Sequence, residues 1–169
     1  TDGTKQMLEP YIKQGIVEDI DWPGYRRQRA AYDDCLKRHR FDTRWIAFID
    51  LDEFIVSIKD ASIPDFLKRF EQFPAVEINW LVYGSGGNKT KSSEPVMKRF
   101  RFHSQPDHYL NRHVKSIVNP RMVKTVIGCH EVARIKGKAA DSHGIPITRN
   151  VGQRTPQQDI IRSNHYDVR

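Results

Sequence analysis

The stretch Trp45–Phe54 reads WIAFIDLDEF: an apolar run that passes directly into Asp50, Leu51, Asp52 and Glu53. Three carboxylates within four positions repel one another unless water or a cation lies between them. The run before them has strand length, and an apolar segment without alternation reads as a strand covered on both faces. Such a strand delivers its last residues to the carboxyl edge of a sheet, where open α/β folds bind ligands. Side chains on extended backbone alternate with period two, so Asp50 and Asp52 are expected on one side and Leu51 in the core. Two carboxylates so placed suit Mg²⁺ or Mn²⁺, hard ions that take oxygen ligands and leave room for water or phosphate.

The chain of 169 residues fits one domain, 1–169, with a sizeable core. No segment approaches the roughly 18 consecutive apolar residues of a membrane span. Cys35 and Cys129 lie far apart with no CxxC spacing and are expected to be reduced thiols in or near the core. Residues 1–84 carry 12 Lys and Arg against 15 Asp and Glu, whereas residues 85–169 carry 16 against 6, with six of the seven His. That excess suggests that the second half meets an anion, whether phosphate, nucleic acid or a lipid surface.

Coarse periodicity predicts a helix ending near Gly15, a short strand in IVEDIDW, and a helix with Ala31, Tyr32, Cys35, Leu36 and His39 on one face. SIPDFLKRFEQF predicts a helix capped by Ser62, with Pro64 in its first turn. AVEINWLVYG reads as a strand, the following SGGNKTKSSEP as a mobile polar loop, and VMKRFRFH, VKSIV and MVKTVIG as short strands. The first half is thus α/β and the second mostly β.

In this order the motifs resemble the GT-A glycosyltransferases of the family-2-like and family-92-like type. WIAFIDLDEFI resembles their DxD strand, TDGT the end of the turn after the first nucleotide-binding strand, and QRAAYDDCLKRH the helix before the DxD strand. INWLVYGSGG is similar to an acceptor-side Trp-Gly stretch, HVKSIVNP to a Lys-strand-Pro segment, and NHYDVR to the closing His-Tyr motif. The resemblance implies a GT-A fold, a Rossmann-like α/β/α sandwich with a mixed sheet. It also implies a catalytic core incomplete at both termini, without the first strand and the C-terminal helix. An aspartyl-phosphate phosphatase also begins with an apolar strand and DxD, but its motif continues with Gly-Thr where this chain has Glu53-Phe54.

What the resemblance implies for function is transfer of a hexose from a nucleotide-diphosphate sugar to a hydroxyl acceptor on a glycan, lipid or protein, with inversion. Its metal ligands would be Asp50, Asp52 and His165, holding Mn²⁺ or Mg²⁺, with Asp52 the more direct. Donor contacts would fall to Asp2, Gln28, Asp50 and Lys115, with Arg112 and Arg121 as further cations for the departing diphosphate. Glu53 would orient nearby cations. For the base, Glu131 is preferred over Asp107 and Asp141, with His130 beside it facing the cleft. Trp80, Tyr83 and residues 84–88 are acceptor-side candidates, because aromatic faces stack on sugar rings and paired glycines permit closure. The rival class is a nucleic-acid-binding module built on Phe100, Phe102 and Tyr109 among Arg and Lys, which leaves DLDEF unexplained. No nucleic-acid partner is therefore expected, while peripheral contact with a membrane fits the basic half. Compartment follows only from the source: cytoplasm or membrane in a bacterium, Golgi lumen in a eukaryote.

Overall fold

A computed structural model describes residues 3–87, 90, 93–128, 130–148 and 154–167. Asp2, Cys129 and Asn88 lie outside the described residues. In chain order, helices α1 (Thr4–Lys13) and α2 (Gln28–Arg38) precede strands β1 (Ile46–Ala47) and β2 (Glu53–Ser57). Helix α3 (Ile63–Leu67) leads into β3 (Ala75–Gly84), followed by α4 (Val96–Arg99), β4 (Phe102–His103) and β5 (Val114–Val118). A hairpin of β6 (Val123–Val126) and β7 (Val132–Arg134) and the strand β8 (Ile161–Tyr166) complete the elements.

Strand β3 organises the sheet because its ten residues are long enough to take different partners at its two ends. Ala75–Asn79 pair antiparallel with β5, from Ala75 opposite Val118 to Asn79 opposite Val114. Trp80–Tyr83 pair in parallel with β8, from Trp80 opposite Ser163 to Tyr83 opposite Tyr166. The order is β1-β5-β3-β8-β2, with β4 on the end of β3. The sheet is mixed, as expected for this α/β class.

Alternation along β3 sends neighbouring residues into two apolar layers. Ala75 joins Val118, Phe48, Val123 and Leu36 of α2 on one side. Val76 and Ile78 join Ile117, Ile161, Phe66 and Phe70 on the other. Helical segments therefore cover both faces, and each fully buried Phe contributes about 1.5–3 kcal/mol of transfer free energy. Helix α3 starts as its sequence dictates: Ser62 is extended (φ −152°) and its Oγ accepts from the Asp65 N–H. Cys35 is a free, half-buried thiol, and burial pushes its pKa up. Among the described residues no helix is long and apolar enough to cross a membrane.

Four expectations are corrected. IVEDIDW forms no strand; Ile16 and Ile20 are 68% and 41% exposed, and the acids between and after them pair with Lys5 and Arg38 instead. In RWIAFID only Ile46–Ala47 pair as strand. The acids that follow sit in a turn closed by Glu53 N–H to the Asp50 carbonyl at 3.1 Å, so strand alternation does not reach them. Leu51 is consequently 96% exposed rather than in the core. VMKRFRFH opens with the helical turn α4, which tucks Phe100 into the interior, and only Phe102–His103 pair with β3.

A buried asparagine fastens the 104–111 segment to the sheet. Asn111 is fully buried; its Oδ1 accepts from Val82 N–H at 3.0 Å, and its Nδ2 donates to the Gln105 carbonyl at 2.9 Å. Asn111→Ala is expected to cost about 2–3 kcal/mol because the Val82 N–H is left unpaired in a buried strand. Ser62→Ala, a cap loss, is expected to cost about 1 kcal/mol. Urea unfolding of both variants checks this ranking.

Candidate active site

The cation that gathers the acids of the Asp50 turn is a lysine from the second half of the chain. All five residues of β5 are buried, and Lys115, at its second position, has no exposed surface. Its Nζ lies 2.7 Å from Asp50 Oδ2 and 3.2 Å from Glu53 Oε2. Helix α2 supplies the other contacts: Gln28 Nε2 and the Tyr32 hydroxyl both donate to Asp50 Oδ1. Glu53 also accepts from the Asp50 N–H at 3.0 Å, so the turn and the carboxylate fix each other.

The relay continues to the end of the chain. Glu53 opens β2 directly opposite His165 on β8, and their side chains meet at 3.1 Å through His165 Nδ1. An ionised carboxylate can only accept, so Nδ1 carries the proton of this bond. The His165 ring stacks on the Trp80 indole at 4.2 Å, and the His113 ring also stacks on it, at 4.9 Å. His130 meets the indole edge-on at 5.3 Å, and Lys115 Nζ lies 6.0 Å from the ring centre. His130 is clamped by β5, its Nδ1 donating to the Val114 carbonyl and its own carbonyl accepting from Ser116 Oγ, each at 2.9 Å.

The electrostatics follow from these contacts. Burial pushes Asp50 upward, but the Lys115 hydrogen bond and charge, with Tyr32 and Gln28, outweigh it and hold the carboxyl below its ordinary range. Burial first, then the Asp50 charge, pushes the Tyr32 phenol up, so it stays a donor. Burial also lowers the His130 pKa, against the Val114 bond and with help from Lys115 and His113.

Of the residues singled out in sequence, Gln28, Asp50, Glu53, Lys115 and His165 form one bonded network, and His130 joins it across Trp80. Asp52 is half-buried in the turn and its carbonyl accepts from Tyr166 N–H at 2.9 Å. Glu131, Asp107 and Arg112 are exposed. Arg121 reaches back to the Phe41 and Thr43 carbonyls, both at 2.8 Å, and so braces a loop. Tyr83 stacks on Tyr166 at 4.8 Å instead of presenting both faces to a ligand. Asp141 caps a separate turn by accepting from His143 and Ile145 N–H groups. Tyr32 and His113 were not singled out for the site. Tyr32 lies one helical turn from Gln28 and His113 lies two strand positions from Lys115, spacings that share a face.

A family model described as glycosyltransferase family 92 matches residues 1–160. The chain belongs to glycosyltransferase family 92. It is 36% identical over 78 residues to the galactan β-1,4-galactosyltransferase GALS3 of Arabidopsis thaliana, 40% of this chain and 16% of that one. GALS2 of the same plant is 30% identical over 92 residues, 50% of this chain and 18% of its own length. A glycosyltransferase family 92 protein, Os08g0121900 of Oryza sativa subsp. japonica, is 28% identical over 76 residues, covering 44% and 13% respectively. The matched segments span less than a fifth of the length of these curated relatives.

Among the described residues of this family 92 chain, no three His, Cys, Asp or Glu converge as a metal cage. Asp50 and Glu53 are instead committed to Lys115. A divalent ion would therefore need substrate oxygens beside Asp52, the mode usual for Mg²⁺ with phosphates. His165 fits such an ion in one respect, since metal-binding His residues commonly donate their second N–H to a carboxylate, as Nδ1 does here.

Lys115→Met is expected to lower unfolding free energy by about 3–5 kcal/mol, because it strands two carboxylates. The Asp50 contribution has a definite pH sign. With its pKa depressed in the folded state, its stabilisation is present above the ordinary aspartate value of about 3.9. It is lost as pH falls through the lower folded value. The stability gap between the wild type and Asp50→Asn should thus be widest above about pH 4 and narrow below it. Urea midpoints measured across that range test this.

Proposed function

We propose that this chain carries the catalytic core of an enzyme that moves a hexose from a nucleotide-diphosphate sugar to a glycan hydroxyl with inversion. The observation that carries the reading is the buried Asp50–Lys115–Glu53–His165 relay beside Trp80 in a chain of family 92. The galactan galactosyltransferase names of two relatives make UDP-galactose the first donor to test and a β-1,4-galactan the first acceptor.

In this reading Lys115 fixes Asp50 so that the turn holds one geometry beside the donor. Gln28 and Tyr32 orient the same carboxylate from α2. Mn²⁺ or Mg²⁺ would be held by Asp52 and His165 together with donor phosphates, and would supply charge neutralisation for the departing diphosphate. Glu53 serves by setting the His165 tautomer. The base we assign is His130: its Nδ1–H is tied to Val114, leaving Nε2 with its lone pair, and its lowered pKa favours the neutral form. Nε2 takes the proton of the acceptor hydroxyl. The acceptor oxygen then attacks the anomeric carbon opposite the diphosphate, whose bond to that carbon breaks with both electrons. Glu131, exposed at the next position, is the alternative base.

Three readouts test this. UDP-galactose should raise the melting temperature only with Mn²⁺ or Mg²⁺, and Asp52→Asn should remove that shift while the apo protein melts normally. His130→Gln should lower kcat about 10²–10⁴-fold with donor affinity retained; a larger loss with Glu131→Gln would move the role to Glu131. Because the pKa of His130 is lowered, the acid limb of kcat/KM should fall below the ordinary imidazole value of about 6.5 and vanish in His130→Gln.

A further inference from the structure

A polar cavity lies against the face of β3 opposite Trp80. Adjacent strand residues point to opposite faces, and Asn79, one position before Trp80, lines this cavity while only 7% exposed. Asp141, Arg154, Thr155 and Gln157 complete the lining of a volume of about 200 Å³. None of these residues belongs to the Lys115 network.

The wall is fixed by its own bonds. Asn79 Oδ1 accepts from Gln157 N–H and its Nδ2 donates to the Asn111 carbonyl, both at 3.0 Å. Arg154 pairs through Nη2 with Glu77, and the two side chains are 17% and 8% exposed. Asp141 commits Oδ1 to the His143 and Ile145 N–H groups at 3.0 and 2.9 Å, leaving Oδ2. One buried atom of the lining nevertheless has no hydrogen-bond partner: Arg154 Nε. The Gln157 side chain is turned to His143, and its hydrogen bond there is the main influence raising the His143 pKa. Buried polar atoms left unpaired oppose folding, and a ligand that pairs them relieves that cost.

The chemistry restricts the ligand. The Arg154 charge is already met by Glu77, and Asp141 adds a negative charge, so an anion is disfavoured. A hard cation would find only Asp141 Oδ2 as a free carboxylate oxygen, too few ligands to hold it. What remains is a donor at Arg154 Nε, an acceptor at Asp141 Oδ2, and the Thr155 hydroxyl, which does both. Neighbouring hydroxyls on a pyranose donate and accept in that same mixture. The volume is below the roughly 300–1,000 Å³ of drug-sized ligand sites, so it suits one ring and not a sugar nucleotide.

We infer that this cavity is a subsite for one neutral sugar ring of the acceptor glycan, separate from the donor network. The assignment rests on the glycosyl-transfer reading for its ligand class.

Saturation-transfer NMR on the intact chain with β-1,4-galactobiose, and separately with UDP-galactose plus Mn²⁺, tests it. Galactobiose should bind, and its affinity relative to that of UDP-galactose should fall at least fivefold in two variants. Arg154→Lys keeps the charge opposite Glu77 but lacks the Nε–H. Thr155→Val removes only a rim hydroxyl and keeps the test valid if the first variant misfolds. No transfer to galactobiose, meaning a cavity that holds water only, overturns the subsite, as does an affinity unchanged in both variants. Galactobiose binding that responds to the variants while UDP-galactose fails to bind supports the subsite and instead sinks the donor assignment.

Discussion

A lysine with no exposed surface, bonded to two carboxylates, is the constraint on which this site depends. An isolated ammonium in that position would favour its neutral form or unfolding, and the two acids alone would repel each other. Together they tolerate burial, but only with every partner in place, so the arrangement specifies geometry more than it adds stability. The ammonium also sets what the acids can do. Asp50 and Glu53 are held by Lys115 before any substrate arrives, and Asp52 stands outside that ion-pair network.

The second constraint is the dual pairing of β3. Its first half bonds β5, which carries Lys115, and its second half bonds β8, which carries His165. Trp80 stands at the changeover, the first residue paired with β8 and next to Asn79, the last paired with β5, and its ring meets side chains from both sides. A register slip of one residue in either partner would send Lys115 or His165 to the opposite face. The buried apolar alternation of Val76, Ile78 and Ile117 opposes such a slip.

Much of this was legible in the chain. The β3 and β5 segments are apolar runs bounded by turn residues, and the Ser62 cap is local chemistry that no tertiary contact overrides. The Asp50 turn departs from the expected strand because pairing stops at Ala47 and the Glu53 N–H folds the backbone back onto the Asp50 carbonyl. IVEDIDW has strand-like alternation but pairs its acids with distant cations, a long-range event invisible to local pattern. At the site, residue types were readable and pairings were not. Lys115, expected at the donor, is buried and ion-paired with Asp50 and Glu53, a pairing that residue type alone does not disclose. His113 and Tyr32 enter through shared faces that only the register reveals.

The charge asymmetry of the sequence acquires a partly internal meaning. Acids from the first half meet cations or imidazoles from the second, Asp50 and Glu53 with Lys115 and Glu53 with His165 in the site, and Glu77 with Arg154 outside it. Every one of these pairs is separated by 62 residues or more, the shortest being Glu53 with Lys115. Local helix formation therefore cannot assemble the site, since each ion pair waits for closure of a long loop, and such non-local pairing is slow. Until β5 and β8 dock on β3, Asp50, Asp52 and Glu53 remain a solvated, mutually repelling cluster with no fixed shape. Donor binding competence should then appear together with the global folding transition, because the network closes only when β5 and β8 are both paired with β3.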